Sequence, residues 1–408
     1  MKTAHDTPAS HGITRRGGLL TLLGGAMALA GCGGGGGGSV ATVGGGGTGS
    51  FSAGPISGIG SIIVNGVRFD DSMANVLDDD GILHNRNELK LGMMVRVKGK
   101  AISRTVNTAL ADADEISFGS ELLGPIDGIP SSQTAPATLV VLGQTVQITA
   151  STIFEDGLTL SMLAKDTIVE VHGFVDPATN NLAATRIERK DLANVKAFKL
   201  QGTVSALDTT AKTFKIGTTL TISFAGVATA DLPAKLANDL LVRVRLSTTP
   251  TTGTRTAIRV RAVVAEVEDR DEAEVEGMIT DFTSSAKFSV NGQLVDASGA
   301  TVPAGLKIGS RVEVEGSLVK GVLVAKKVQL KDENETREFE LHGIVSNKTS
   351  TSLTLTSSGG IVAKVTFTID VRFDNGLTAA TLRDGIKLEV KGVALPDGTI
   401  QATRISLE

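Results

Sequence analysis

From residue 51 onward, apolar and polar residues alternate in short runs broken by glycine. The run Val95-Arg96-Val97-Lys98-Gly99 returns as Val169-Glu170-Val171-His172-Gly173 and Val312-Glu313-Val314-Glu315-Gly316, and again as Leu388-Glu389-Val390-Lys391-Gly392. Strict alternation predicts strands with one face buried and one face out. A third copy in chain order, Val242-Arg243-Val244-Arg245-Leu246, carries leucine where the others close on glycine. Each copy is preceded by a turn glycine with an apolar partner, at Gly54, Gly124, Gly202, Gly277 and Gly343, spaced at roughly 70 residues. A last short strand closes each unit, as in Ala184-Thr185-Arg186-Ile187 and Ala402-Thr403-Arg404-Ile405.

About five strands per unit, with glycine turns between, predict a small closed barrel. A helical turn is expected before the fourth strand, at Leu160–Ala164 and Thr378–Leu382. That order fits a five-stranded Greek-key barrel of the OB-like type, and an open sandwich is the alternative. The fold class read here is all-β: a tandem array of five such barrels, at 51–119, 120–193, 194–264, 265–331 and 332–408. Each is expected to have its own small core. The repeats resemble the bacterial domain-of-unknown-function family numbered 5666, over nearly all of residues 51 to 408. The resemblance implies an exported protein with tandem domains and carries no catalytic residues.

The first 50 residues differ. Thr14-Arg15-Arg16 precedes an apolar run, Leu19 to Ala30, that ends in Leu29-Ala30-Gly31-Cys32. The run is well short of the ~20 residues that span a bilayer, so it reads as the core of a targeting signal. The paired arginines point to twin-arginine export, with the general secretory route open because Gly18 stands where a bulky residue is usual. The box around Cys32 resembles that of bacterial lipoproteins. This implies cleavage of a 1–31 signal peptide, acylation of Cys32 and, with Gly33 following, an outer-membrane position facing periplasm or cell surface. Residues 32–50 form a glycine-rich segment, expected to act as a flexible tether with an r.m.s. span of about 23 Å.

Composition narrows the chemistry. The chain has 40 bases and 44 acids, and loss of the signal removes more base than acid, which argues against a nucleic-acid partner. Cys32 is the only cysteine, so the barrels fold without disulfides. Tryptophan and tyrosine are absent, which removes the usual aromatic platforms for sugars and single strands. No nucleophile elbow, histidine pair or ordered acidic loop appears, so neither catalytic residue, metal site nor cofactor is expected. His172 is assigned an outward, solvated position. Asp78-Asp79-Asp80-Gly81 reads as a solvated turn.

Three charged features remain. Seven acids surround Arg270 between Glu266 and Glu276, and a second run spans Lys331 to Glu340. Both are expected to be solvated linkers that keep barrels apart. In the third barrel, Arg243, Arg245, Arg259 and Arg261 are predicted to share an outward face. Like charges opposite one another are destabilising, so an anionic partner is implied. The candidates are the acidic linker downstream, or phosphate or carboxylate on lipopolysaccharide or peptidoglycan. The functional expectation is a lipid-anchored envelope protein that binds or spaces, with membrane contact through Cys32 and an envelope protein or anionic glycan as partner. The alternative is an anionic-ligand binder acting through the third repeat.

Overall fold

The structure is a computed structural model. It describes residues 49–408 apart from 107, 156, 250–252, 264, 267 and 333–335. The signal segment, Cys32 and nearly all of the tether lie outside the described residues.

Barrel 2 shows the plan. Its strands are Leu122–Pro125, Ala137–Val141, Gln144–Ile148, Ile168–Val175 and Leu182–Arg189. The first pairs with the fourth, Gly124 facing Val169, and the fourth pairs with the fifth. The fifth runs parallel to the third, Leu182 beside Val146, and the third pairs with the second. A bridge between Ile126 and Val141 closes the ring. This is the Greek-key order of an OB-like barrel. The same ring recurs in the other four barrels, and the fold is all-β. The helical turn before the fourth strand is a single 3-10 turn, Leu160–Met162 in barrel 2 and Thr229–Asp231 in barrel 3. In barrel 5, hydrogen bonds from Thr381 and Leu382 back to the Thr378 carbonyl make one turn and no helix.

The closing glycines mark a bulge. In barrels 1, 2, 4 and 5 the register between the fourth and fifth strands slips at Gly99, Gly173, Gly316 and Gly392. A Cβ at these positions would meet a backbone carbonyl oxygen across the ladder, at 2.1 Å from Ala183 O for Gly173 and 2.1 Å from Val324 O for Gly316. Barrel 3 keeps the same slip with Leu246 in place. The first-strand glycines also answer to a close approach. A Cβ on Gly277 would lie 2.4 Å from the side chain of Asn291, which opens the tight Asn291-Gly292 turn with both residues at positive φ.

The barrels do not stand apart. The first strand of barrel 1, Ser50–Ile59, pairs with the first strand of barrel 4, Arg270–Ser284, from Ser50 beside Glu272 to Ala53 beside Val275. It then pairs with the first strand of barrel 5, Glu338–Ser346, at Gly58 and Ile59. The first strands of barrels 2 and 3 pair at Leu122–Leu123 with Lys199–Leu200. In this barrel each first strand bends from one neighbour to another and leaves part of an edge open. Pairing first strand with first strand fills those open edges.

Cores merge accordingly. One apolar cluster runs through barrels 1 and 5, with Phe69, Leu89, Phe339 and Leu388. A second runs through barrels 2 and 3, and a third fills barrel 4 but takes Phe51 from barrel 1. The expectation of a separate core in every barrel is therefore corrected. A unit this small buries a modest share of its surface alone, and the rest is buried between units. The acidic run is corrected for the same reason. Residues from Arg270 onward form the first strand of barrel 4, and Glu266, Glu274 and Glu276 are buried.

Candidate functional site

Alternation in barrel 3 places its arginines as expected. Val242, Val244 and Val260 point inward and are at most 1% exposed. Their neighbours point outward, and the register sets Arg243 directly opposite Arg261 and Arg245 opposite Arg259. Two like-charged pairs on adjacent strands need counter-charge.

That charge comes from elsewhere than the downstream linker. Arg245 reaches Asp79 at 3.1 Å and Asp80 at 2.7 Å, both on a turn of barrel 1. Arg259 bridges Asp80 and Asp231 at 3.0 Å each, and Arg261 meets Asp231 at 3.5 Å. Arg243 faces Glu121 at 3.5 Å and donates to Gln201 Oε1 at 2.8 Å. Lys199 joins Asp79 at 3.0 Å. The Asp78–Asp80 turn, read from sequence as solvated, is thus a dock for barrel 3. Asp78 shapes it by accepting the backbone N–H groups of Asp80 and Ile82. The linker acids turn to other bases because their segment is a strand. Glu266 and Glu268 approach Lys98, Glu272 pairs with Arg104, and Glu276 takes Arg311 and Arg337.

Where barrels 1 to 4 meet there is a cavity of about 320 Å³. Its lining holds six cationic side chains, Arg96, Lys199, Arg243, Arg245, Arg259 and Arg261, against three carboxylates, Asp79, Glu121 and Glu276. Arg96 retains solvent-accessible surface. Burial nevertheless pushes its pKa below the usual arginine value, and the charge of Arg243 adds to the shift while Glu266 tempers it. Ser120 also lines the cavity and is 3% exposed, and its Oγ has no hydrogen-bond partner among the described residues. Burial raises the Glu121 carboxyl to about 7, although Arg243 and the Gly173 N–H oppose the shift.

Sequence reasoning missed Arg96 because its cross-strand partners, Ala53 and Ser117, carry no charge to mark it. It also misplaced His172, which is 1% exposed. The side chain does point out of barrel 2, but it meets barrel 1, where the Met94 N–H approaches Nδ1 at 3.4 Å. Burial lowers its pKa to about 4. Beside it, Arg186, Glu188, Lys190 and Glu170 form a buried ion network, with Lys190 at 2.6 Å from Glu188 and 2.8 Å from Glu170. A second cavity, of about 620 Å³, lies among barrels 1, 2 and 5 and includes His84, Phe154 and Ile400. On barrel 4, Glu274, Glu313 and Glu315 cluster, but Lys327 and Lys331 already answer two of them.

Comparison with known proteins places these barrels. Residues 124–188, 276–329 and 342–406 match the family described as "Domain of unknown function (DUF5666)". These stretches fall in barrels 2, 4 and 5. Among solved structures, the Drosophila chain titled "drosophila Unr CSD456" is 16% identical, over 57% of this chain and 99% of that one, with a TM-score of 0.13. A likeness that slight bears on neither fold nor ligand. No curated protein matches the sequence. Three of the five small β-barrels therefore match the domain of unknown function DUF5666.

Proposed function

We propose that the protein is a non-catalytic scaffold of the cell envelope: five fused barrels held at the outer membrane by lipid on Cys32 and a glycine tether. The observation that carries this reading is the pairing of first strand with first strand across barrels 1, 4 and 5 and across barrels 2 and 3. A spacer gains reach only if its units are strung out, whereas fused units present one fixed surface. The reading therefore favours holding a partner over setting a distance. The partner is an envelope protein or an anionic glycan. Binding of a bulky polyanion by the third barrel has less support, because acids of the same chain already meet its arginines.

Two measurements test this. Cys32→Ser should leave an unlipidated precursor that no longer fractionates with outer membranes; normal fractionation of that variant would remove the anchor from the proposal. Cross-linking in intact cells should capture the same envelope component repeatedly. Failure to capture any component, from cells in which the chain is surface-accessible to the cross-linker, would remove the scaffold role.

A further inference from the structure

Barrel 4 carries a group of carboxylates that the scaffold reading does not use. We infer that Glu274, Glu313 and Glu315 form a binding site for a hard divalent cation of the calcium or manganese type. The inference is independent of whether the protein is a scaffold.

Register builds the site. Glu274 stands on the first strand of barrel 4, and Glu313 and Glu315 stand on its fourth, Arg311–Val319. Val312 and Val314 alternate with the two acids and are 0% exposed, so the acids lie on the outer face. The ladder sets Glu274 directly opposite Glu315, with Glu313 one rung away opposite Glu276. One carboxylate oxygen from each of the three lies within 4.8 Å of the other two. The same rung in barrel 5 joins Glu340 to Lys391, an ion pair at 2.8 Å. Barrel 4 instead sets acid against acid, which costs stability unless a cation joins them. Calcium and manganese take carboxylate oxygens, with water completing the shell.

The second observation is the burial of Glu274. It is only 9% exposed. Among the described residues no base forms an ion pair with its carboxylate, and its hydrogen-bonding neighbour is another carboxyl, that of Glu313. Arg104 exerts a weaker pull on it and is itself engaged by Glu272 at 3.1 Å. Burial and the charges of Glu313 and Glu315 raise the Glu274 pKa to about 8. A buried carboxylate normally has a paired base or a metal. Lys327 meets Glu315 at 2.5 Å and Lys331 meets Glu313 at 3.0 Å, which leaves the third acid unanswered. The Lys327 side chain is 49% exposed, so its flexible stem can swing into water and release Glu315 to an ion.

Calcium chloride and manganese chloride are the probes, titrated calorimetrically into the purified, chelator-treated full chain at physiological ionic strength. Saturable binding of one ion is expected. At pH 7 it should release a proton, read from titrations in buffers of different ionisation enthalpy, because Glu274 must ionise to ligate. Glu274→Gln should weaken binding at least tenfold and abolish the proton release. Lys327→Met should tighten binding severalfold by freeing Glu315, a gain that misfolding cannot imitate. Asp296→Asn, on barrel 4 and outside the cluster, should leave binding unchanged. The inference is overturned if neither ion binds, if Glu274→Gln binds or releases protons as the parent does, if Lys327→Met brings no gain, or if Asp296→Asn weakens binding as much as Glu274→Gln.

Discussion

Gly173 shows what a single missing methyl group permits. The fifth strand crosses so near that a Cβ there would lie 2.1 Å from the Ala183 carbonyl oxygen. Gly173→Ala should cost on the order of 1–3 kcal/mol by urea denaturation, the range for forced overpacking. Gly226→Ala, where a Cβ meets nothing within 4 Å, should be close to neutral. Glu121 gives a second test. Between the ordinary glutamate value of 4.5 and about 7 it is protonated in the folded chain and ionised in the unfolded one. The unfolded state then holds fewer protons, so its contribution to stability falls as pH rises through that window. The size is on the order of 3 kcal/mol. Melting temperatures from pH 4.5 to 7.5 should show that the difference between parent and Glu121→Gln moves in favour of the variant as pH rises. A difference that stays flat would mean the carboxyl is not buried as described. The sequence marks the first effect only by the repeat of Gly173 and gives no sign of the second, because the Glu121 carboxyl meets Arg243 and the Gly173 N–H, both far from it in the chain.

At the scale of the strand, period-2 alternation was enough to place the inner faces. Val314, 0% exposed, lies where the pattern sets it. Val314→Asp should therefore unfold barrel 4, since an unpaired carboxylate would enter an apolar core at a cost of several kcal/mol. Circular dichroism and loss of cooperative melting would report it. The outer faces were legible only as chemistry, and not as location. Outward in one barrel means solvent if the barrel stands alone, and interface if it does not. That is why His172 was assigned to water and Asp79 and Asp80 to a free turn. The arginine face was recognised by its alternation, but Asp79, which meets Arg245, lies 166 residues upstream, beyond any local pattern. A double-mutant cycle tests the assignment: Asp80→Asn and Arg245→Gln should show a coupling of about 0.5–2 kcal/mol. Asp80→Asn with a change in the linker acid Glu272 should show none.

The molecule holds together through shared strands within barrels 1, 4 and 5 and within barrels 2 and 3, and through ion pairs such as Arg245 with Asp79 and Asp80 between those two groups. Solution scattering should return a radius of gyration near ~21 Å for the folded part, as expected of a compact domain of this length. A string of separate barrels on self-repelling linkers would give a far larger value. Five repeats, their strand order and their inward residues could be read from the chain alone. Their fusion could not, since a first strand with an open edge looks the same in sequence whether or not another first strand fills it.

The ladder between Ser50–Ala53 and Glu272–Val275 also sets an order in time. Barrel 1 leaves the ribosome first, yet the strands that flank its own first strand, in barrels 4 and 5, arrive last. Barrels 2 and 3 are adjacent in the chain and can join as soon as both exist. Barrel 1 must wait with a bare edge until more than half the protein has followed it. Contacts so distant in sequence are slow to form, and an exposed edge is where a growing chain meets its neighbours. A copy truncated before Arg270 would never find those partner strands, and aggregation rather than loss of binding should be its first symptom.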